Sequence, residues 1–265
     1  MVPPAVKKRI PSAPRPRLSG LDTLRGATLI SMIVYHACWD LVWIFGVNFP
    51  WYHTTGAYWW QQSICWTFIL LSGYCWSLGR QRFKRGLTVF LAGGLVTVVT
   101  ALTMPENTVY FGVLTLLGTS ALALIPLEKL LRRLPARAGL AASFVLFLLA
   151  RDVNGGALGF EGAVIARLPQ AWYQNAFTAL LGFPPESFAS TDYFSLFPWF
   201  FLFLTGYFLY RLRPSDGGPG PHLPVLTAMG RHSLPIYLLH QPVVYALLYG
   251  LLFGLFAILG VSLHD

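Results

Sequence analysis

Seven apolar windows follow one another along this chain, at about 21–46, 59–79, 86–103, 109–127, 138–150, 193–211 and 231–260, each bounded by charges or turn residues. A helix needs roughly 20 apolar residues to cross the hydrocarbon core, and lipid leaves the backbone no other closed way of bonding than helices or barrels. Composition excludes an ordinary soluble domain: 55% of the 265 residues are hydrophobic and 11% are charged, against about 25% charged in typical globular chains. The expected fold class is all-α, a polytopic integral-membrane helical bundle of about seven transmembrane helices, with an upper bound near nine.

The basic residues carry the topology. Lys7, Lys8, Arg9, Arg15 and Arg17, then Arg80, Arg82, Lys84 and Arg85, then Lys129, Arg132, Arg133 and Arg137, then Arg211 and Arg213 all fall on one side if the spans alternate. Of 19 Lys and Arg residues only Arg151 and Arg167 lie in loops on the other side, with Glu106, Asp152, Glu161, Glu186 and Asp192. The positive-inside rule then predicts a cytoplasmic N-terminus and an outside C-terminus. Basic clusters between apolar spans account for the net charge of +9 without a nucleic-acid partner.

Residues 1–20 read as a basic, Pro-rich cytoplasmic tail, and 21–262 as one transmembrane domain. The segment 151–192 is its longest outer loop, with an interfacial helix expected near 162–182 among aromatics, Gly and Pro. The first window is too long and too polar for a cleaved signal core. Cys38, Cys65 and Cys75 sit in apolar stretches with no paired spacing and read as small core residues; no metal site is expected. No internal repeat is evident. Gly93, Gly94, Gly250 and Gly254 are small enough to pack helices within one chain or between two copies in a homodimer.

The first window carries Asp22, Arg25, Tyr35, His36 and Asp40, ionisable or polar groups where charge is expensive and function is the default suspicion. Asp22 and Arg25 are three residues apart and His36 and Asp40 four, so each pair shares a helix face. Asp40 can then accept from one imidazole nitrogen of His36 and leave the other free as a general base. The step from Arg25 to His36 spans about 16 Å along a helix, near three turns, which puts both on one stripe. The alternative is a satisfied core histidine with a snorkelling Asp22–Arg25 pair at the helix end.

In the last window His232, Ser233, Tyr237, His240 and Gln241 accompany Pro235 and Pro242, whose missing N–H groups suggest a kinked helix with free carbonyls along a cavity. His240 reads equally as a site-lining residue or as a buried structural one. Asp192, at the outer mouth beside Tyr193, fits either a ligand-binding carboxylate or the capping of a span.

The run Leu21-Asp-Thr-Leu-Arg-Gly26 with Tyr35-His36 and Asp40-Leu41 resembles the heparan-alpha-glucosaminide N-acetyltransferase-like catalytic domain of bacterial membrane proteins. The likeness extends to Phe111-Gly-Val-Leu114 with Leu117-Gly118, to Asp192-Tyr193 and Pro198-Trp199-Phe200 through Gly206, and to Gly230-Arg-His-Ser-Leu234 with Ile236-Tyr-Leu-Leu-His-Gln-Pro242. Arg25 and His36 also match the arginine-to-histidine spacing of the wider transmembrane acyltransferase group. Thr115 departs from the pattern, where the family carries histidine.

The resemblance implies transfer of an acetyl or other acyl group from cytosolic acetyl-CoA (acyl-CoA) to an extracytoplasmic glycan or amino sugar. His36 would be the general base and Asp40 would orient it. Arg25, Arg80, Arg82, Arg85 and Arg231 would hold the CoA polyanion, with Lys84 beside them. Asp22, Tyr35, Asp192, Ser233, Tyr237, His240 and Gln241 would line the substrate path, and Arg25, Ser233, Tyr237 or Gln241 would steady the oxyanion. Two other classes remain: a proton-coupled transporter or flippase using the same polar residues, and a scaffold that keeps the fold without the chemistry.

Overall fold

The computed structural model describes residues 19–214 and 222–259. Of the expected tail, residues 1–18 lie outside the described residues, as do 260–262 at the far end of the expected domain. The helices are α1 (Ser19–Trp43), α2 (Thr55–Trp76), α3 (Arg82–Thr103), α4 (Val113–Leu131), α5 (Ala136–Leu149), α6 (Ala176–Leu181), α7 (Leu196–Leu212), α8 (Pro224–Arg231) and α9 (Ser233–Leu259). Each of the seven apolar windows coincides with one of these helices. Three are both long and apolar enough to cross a membrane: α3, α4 and the stretch Ser233–Gly254 of α9. Helices α5 and α7 are apolar but shorter, while α1 and α2 have the length, 25 and 22 residues, and carry more polar side chains.

The outward faces are those of a protein solvated by lipid. Leu91, Leu95, Val98 and Leu102 of α3 and Leu247 and Leu251 of α9 are all exposed, Leu102 by 80%, a pattern that water would penalise and hydrocarbon does not. The packed interior forms around α7, whose Trp199, Leu202, Phe203, Tyr207 and Phe208 are almost wholly buried against α2, α4 and α5. In lipid no hydrophobic effect drives helices together, so close backbone approach must do more of the holding. The α2–α7 contact is of this kind: a Cβ at Gly73 would meet the Phe203 carbonyl, and one at Gly206 the Leu70 carbonyl.

The same device joins α1 to α8. A Cβ at Gly26 would meet the Leu226 carbonyl and one at Gly230 the Asp22 carbonyl, while the Thr23 and Thr227 hydroxyls bond at 2.8 Å. This pairing of 22 with 230 and 26 with 226 makes α8 antiparallel to α1. The chain then turns at His232 and enters α9, so the last window is preceded by a separate short helix. Helix α9 runs on through Pro242, where a kinked helix was expected. Proline removes one hydrogen bond, and Pro235 lies in the first turn, where no N–H bond is required.

The outer loop corrects two expectations. Instead of an interfacial helix over 162–182, residues 157–167 form an antiparallel hairpin, β1 (Ala157–Phe160) and β2 (Ala163–Arg167), so the fold is helical with a small two-stranded sheet rather than purely all-α. Positive φ at Glu161 (50°) and Gly162 (90°) gives the turn the mirror-image geometry that suits the strand twist. The Gly162 N–H also donates to Asp152 at 2.9 Å. In the second half of the segment only Ala176–Leu181 is α-helical, started by the Asn175 side-chain oxygen, which accepts from the N–H groups of Phe177 and Thr178.

Candidate functional site

At the N-terminal end of α1, Asp22 is held by two arginines from different helices. Arg25 Nη1 lies 3.1 Å from Asp22 Oδ1 and Arg231 Nε 3.6 Å from Oδ2. Arg25 further donates to the Gly230 carbonyl at 3.4 Å and to the Cys75 Sγ at 3.1 Å. Asp22 therefore serves as the clasp that brings Arg25 and Arg231 together where α1, α2 and α8 meet. Arg85 lies within electrostatic reach of the same Cys75, and Arg80, Lys84 and Arg85 are exposed. Arg82 is turned away, 2.8 Å from Glu128 of α4 with its guanidinium 4.1 Å over the Trp76 ring. Of the five predicted cations, Arg82 is thus already engaged.

Farther along α1, His36 faces α9. Its ring meets that of His240 with centroids 4.8 Å apart at 63°. The His240 Nδ1 sits 2.5 Å from the Tyr237 carbonyl, which can only accept, so Nδ1 carries the proton and Nε2 presents a lone pair. One turn along α1, Asp40 is fully buried and accepts from the Gln241 amide. The expected hydrogen bond from His36 to Asp40 is absent. Helix spacing puts both on one face, but each has a partner on the neighbouring helix, Gln241 for Asp40 and the His240 ring for His36.

The four side chains form two interhelical pairs, and three of their polar atoms are buried without a bond: Asp40 Oδ2, His240 Nε2 and Gln241 Oε1. Buried polar atoms are nearly always paired, so such a cluster marks a place that a bound molecule would complete. Arg25, held about three turns away by Asp22 and Cys75, is not positioned to serve an oxyanion beside His36. Gln241 and Tyr237 are closer to it. Ser233 begins α9, below this level. Tyr35 packs its ring among Tyr52, at 5.3 Å, and Trp60, at 5.2 Å, in an aromatic wall next to His36.

The Tyr237 ring lies 5.4 Å from that of His240 and also borders, with Gly93, Val96, Gly112, Val113 and Asp192, a small half-open cleft of about 10 Å³, room for one water molecule. Asp192 Oδ2 accepts from the Val113 N–H at 3.3 Å and so caps α4, not the helix that follows it in sequence. Burial pushes its carboxyl up to about 6, against a smaller lowering by the Val113 N–H. Thr115 is buried with its side chain against Gly93, in the α3–α4 seam, where histidine would force the two helices apart.

One cluster escaped the sequence. Arg151 Nη2 donates to Gln62 at 2.7 Å and to the Tyr58 hydroxyl at 3.1 Å, its Nε is 3.1 Å from Glu161, and it lies 4.7 Å over the Trp199 ring. Tyr58 in turn donates to the Glu161 carboxylate at 2.6 Å. This network fastens the hairpin turn to α2 and α7. The signal was present in the charge count, since Arg151 is one of two cations that break the one-sided pattern. Among the described residues no three His, Cys, Asp or Glu side chains gather into a metal-binding group.

No curated protein and no solved structure matches this chain. The family model described as heparan-alpha-glucosaminide N-acetyltransferase, catalytic, matches residues 17–242, a stretch running from the Asp22–Arg25 clasp through the His36–His240 contact to Gln241. The chain belongs to the heparan-alpha-glucosaminide N-acetyltransferase catalytic-domain family.

Proposed function

We propose that this protein transfers an acetyl group from cytosolic acetyl-CoA to an extracytoplasmic glycan or amino sugar, with His36 as the general base. The observation that carries the reading is the His36–His240 contact beside the unbonded Asp40, His240 and Gln241 atoms, inside a chain of an acetyltransferase family. The distribution of basic residues supports a cytoplasmic N-terminal end of α1 under the positive-inside rule. Arg25 and Arg231, with the exposed Arg80, Lys84 and Arg85, suit the phosphates of CoA there. The slender pantetheine arm then runs along α1 toward His36.

In the reaction, His36 takes the proton of the acceptor hydroxyl or amine as its oxygen or nitrogen attacks the thioester carbonyl. The carbon–sulfur bond breaks and the departing CoA thiolate takes that proton back from His36. His240, a neighbour with a free Nε2 lone pair, steadies the imidazolium, and the Asp40–Gln241 pair fixes α1 against α9 so that the two rings meet. Gln241 and Tyr237 are the nearest candidates to donate to the developing oxyanion. Direct transfer is the simpler route; an acetyl-His36 intermediate is the alternative.

The test is transfer of radiolabelled acetyl from acetyl-CoA by the purified full chain in lipid nanodiscs, wild type against His36→Ala. General-base catalysis contributes about 10²–10⁴-fold, and a loss of that size with normal insertion and acetyl-CoA binding is expected. Near-normal turnover in His36→Ala would remove the base from the proposal.

A further inference from the structure

We infer that the hairpin β1–β2 and helix α6 dock into the bilayer itself, at the boundary between acyl chains and headgroups in the leaflet opposite the basic clusters, with phospholipid as their partner. The lengths of the neighbouring helices point there. At about 1.5 Å per residue the 22 residues of α3 reach about 33 Å, the full hydrocarbon core, whereas the 14 of α5 and the 17 of α7 reach about 21 and about 26 Å. Both short helices are anchored at the same basic level. Arg211, near the end of α7, donates to the Leu131 and Arg132 carbonyls at the end of α4, at 2.8 and 3.2 Å, and α5 begins directly after the turn 132–135. Their other ends, Leu149 and Leu196, therefore stop short of the far edge of the hydrocarbon, and the segment between them fills the layer they leave.

The side chains of that segment are sorted accordingly. Around the hairpin the polar groups bond to one another or to backbone: Arg151 to Glu161, Tyr58 and Gln62, Asp152 to the Gly162 N–H, and Asn154 to Ser195 at 2.9 Å. The outward side chains are apolar. Ala163, Val164, Ile165 and Ala166 of β2 are exposed on both faces of the strand, Ile165 by 69%, and Phe177 of α6 is exposed by 89%. A strand that faced water would alternate, with polar residues on its wet side. This one continues the lipid-facing surface of the bundle. It ends in the exposed Arg167, which makes no ion pair among the described residues and can meet a lipid phosphate while the apolar residues before it dip into the acyl chains. The free edge of β2 sets the depth at the boundary rather than the hydrocarbon centre, because its unpaired N–H and C=O groups require headgroups or water.

The experiment introduces the photo-crosslinking residue p-benzoylphenylalanine singly in place of Ile165, of Phe177 and of Leu95 in the full chain, reconstituted in phospholipid nanodiscs. Adducts formed on illumination are identified by mass spectrometry. All three positions are exposed, so the added ring displaces no core residue, and Leu95, halfway along α3, serves as the reference for contact with acyl chains. Phospholipid adducts at 165 and at 177, with yields comparable to that at 95, are expected. A silent 165 or a silent 177 beside a labelled 95 would overturn the placement. Crosslinks from 165 to a second copy of the chain in place of lipid would overturn it as well and make β2 a protein interface. No step of this test involves acetyl-CoA or an acceptor, so its outcome is independent of the acetyl-transfer reading.

Discussion

The His36 ring of α1 and the His240 ring of α9 meet 4.8 Å apart, although 204 residues separate them in sequence. Two imidazoles this close cannot both be charged without mutual repulsion, so in the proposed transfer one would carry the proton while the other stays neutral. His240→Ala is expected to lower acetyl transfer by about tenfold to 10²-fold, less than His36→Ala, and to shift the pH–rate profile. Steady-state rates from pH 5 to 9 in both variants check this; an unshifted profile in His240→Ala would make the contact mere packing.

Among the described residues, Gln241 donates the one hydrogen bond that the buried Asp40 carboxylate accepts. Replacing it with leucine leaves a buried carboxylate unpaired, at a cost of about 1–3 kcal/mol. Gln241→Leu should therefore melt several degrees below wild type in detergent. The double variant Asp40→Asn, Gln241→Leu should recover part of that loss because it removes the unpaired charge.

Arg25 and Arg82 lie on the same basic face by sequence but differ in structure. Arg25→Ala should weaken acetyl-CoA binding by about tenfold, as expected for a lost charge-assisted contact to phosphate. Arg82→Ala should leave affinity nearly unchanged, since its guanidinium is occupied by Glu128 and Trp76. Equilibrium dialysis with labelled acetyl-CoA measures both, and equal effects would show that the Glu128 pair opens to admit the donor.

Asp192 titrates near 6 in the fold, above the ordinary value of about 3.9 for an unfolded aspartate. A raised carboxyl pKa means the folded state prefers the protonated form. Its stabilising contribution is thus full below about pH 4 and is lost as pH rises through about 6. The difference in melting temperature between Asp192→Asn and wild type should accordingly shift in favour of the asparagine variant across that window. A difference that does not change with pH from 4 to 7 would contradict the burial.

Much of the bundle was readable because a membrane span announces itself by length, and each apolar window became a helix. The outer hairpin was not, since Ala163-Val-Ile-Ala-Arg167 is too short for its period to separate strand from helix, and its turn depends on the backbone angles of Glu161 and Gly162. Helix α8 was missed because a single residue, His232, separates it from α9. At the candidate site, spacing on α1 singled out His36 and Asp40 but paired them with each other. Partner choice between helices depends on how α1 and α9 approach, which no local pattern encodes. The capture of Arg82 by Glu128, 46 residues away, was hidden for the same reason.

The clasp of α8 on α1 has a consequence for how the chain tolerates change in length. Gly26 and Gly230 fix where the last helix starts to count, and from Gly230 a set number of residues carries the backbone to His240. An insertion or deletion of one residue in that interval would swing every later side chain by about 100° around the α9 axis, pointing His240 into lipid and Gln241 away from Asp40. The interval from Gly230 to Gln241 should therefore admit changes of residue only away from Gly230, Arg231, Tyr237, His240 and Gln241, and no change of length. Its tally of residues is itself a functional element, with no single side chain to stand for it.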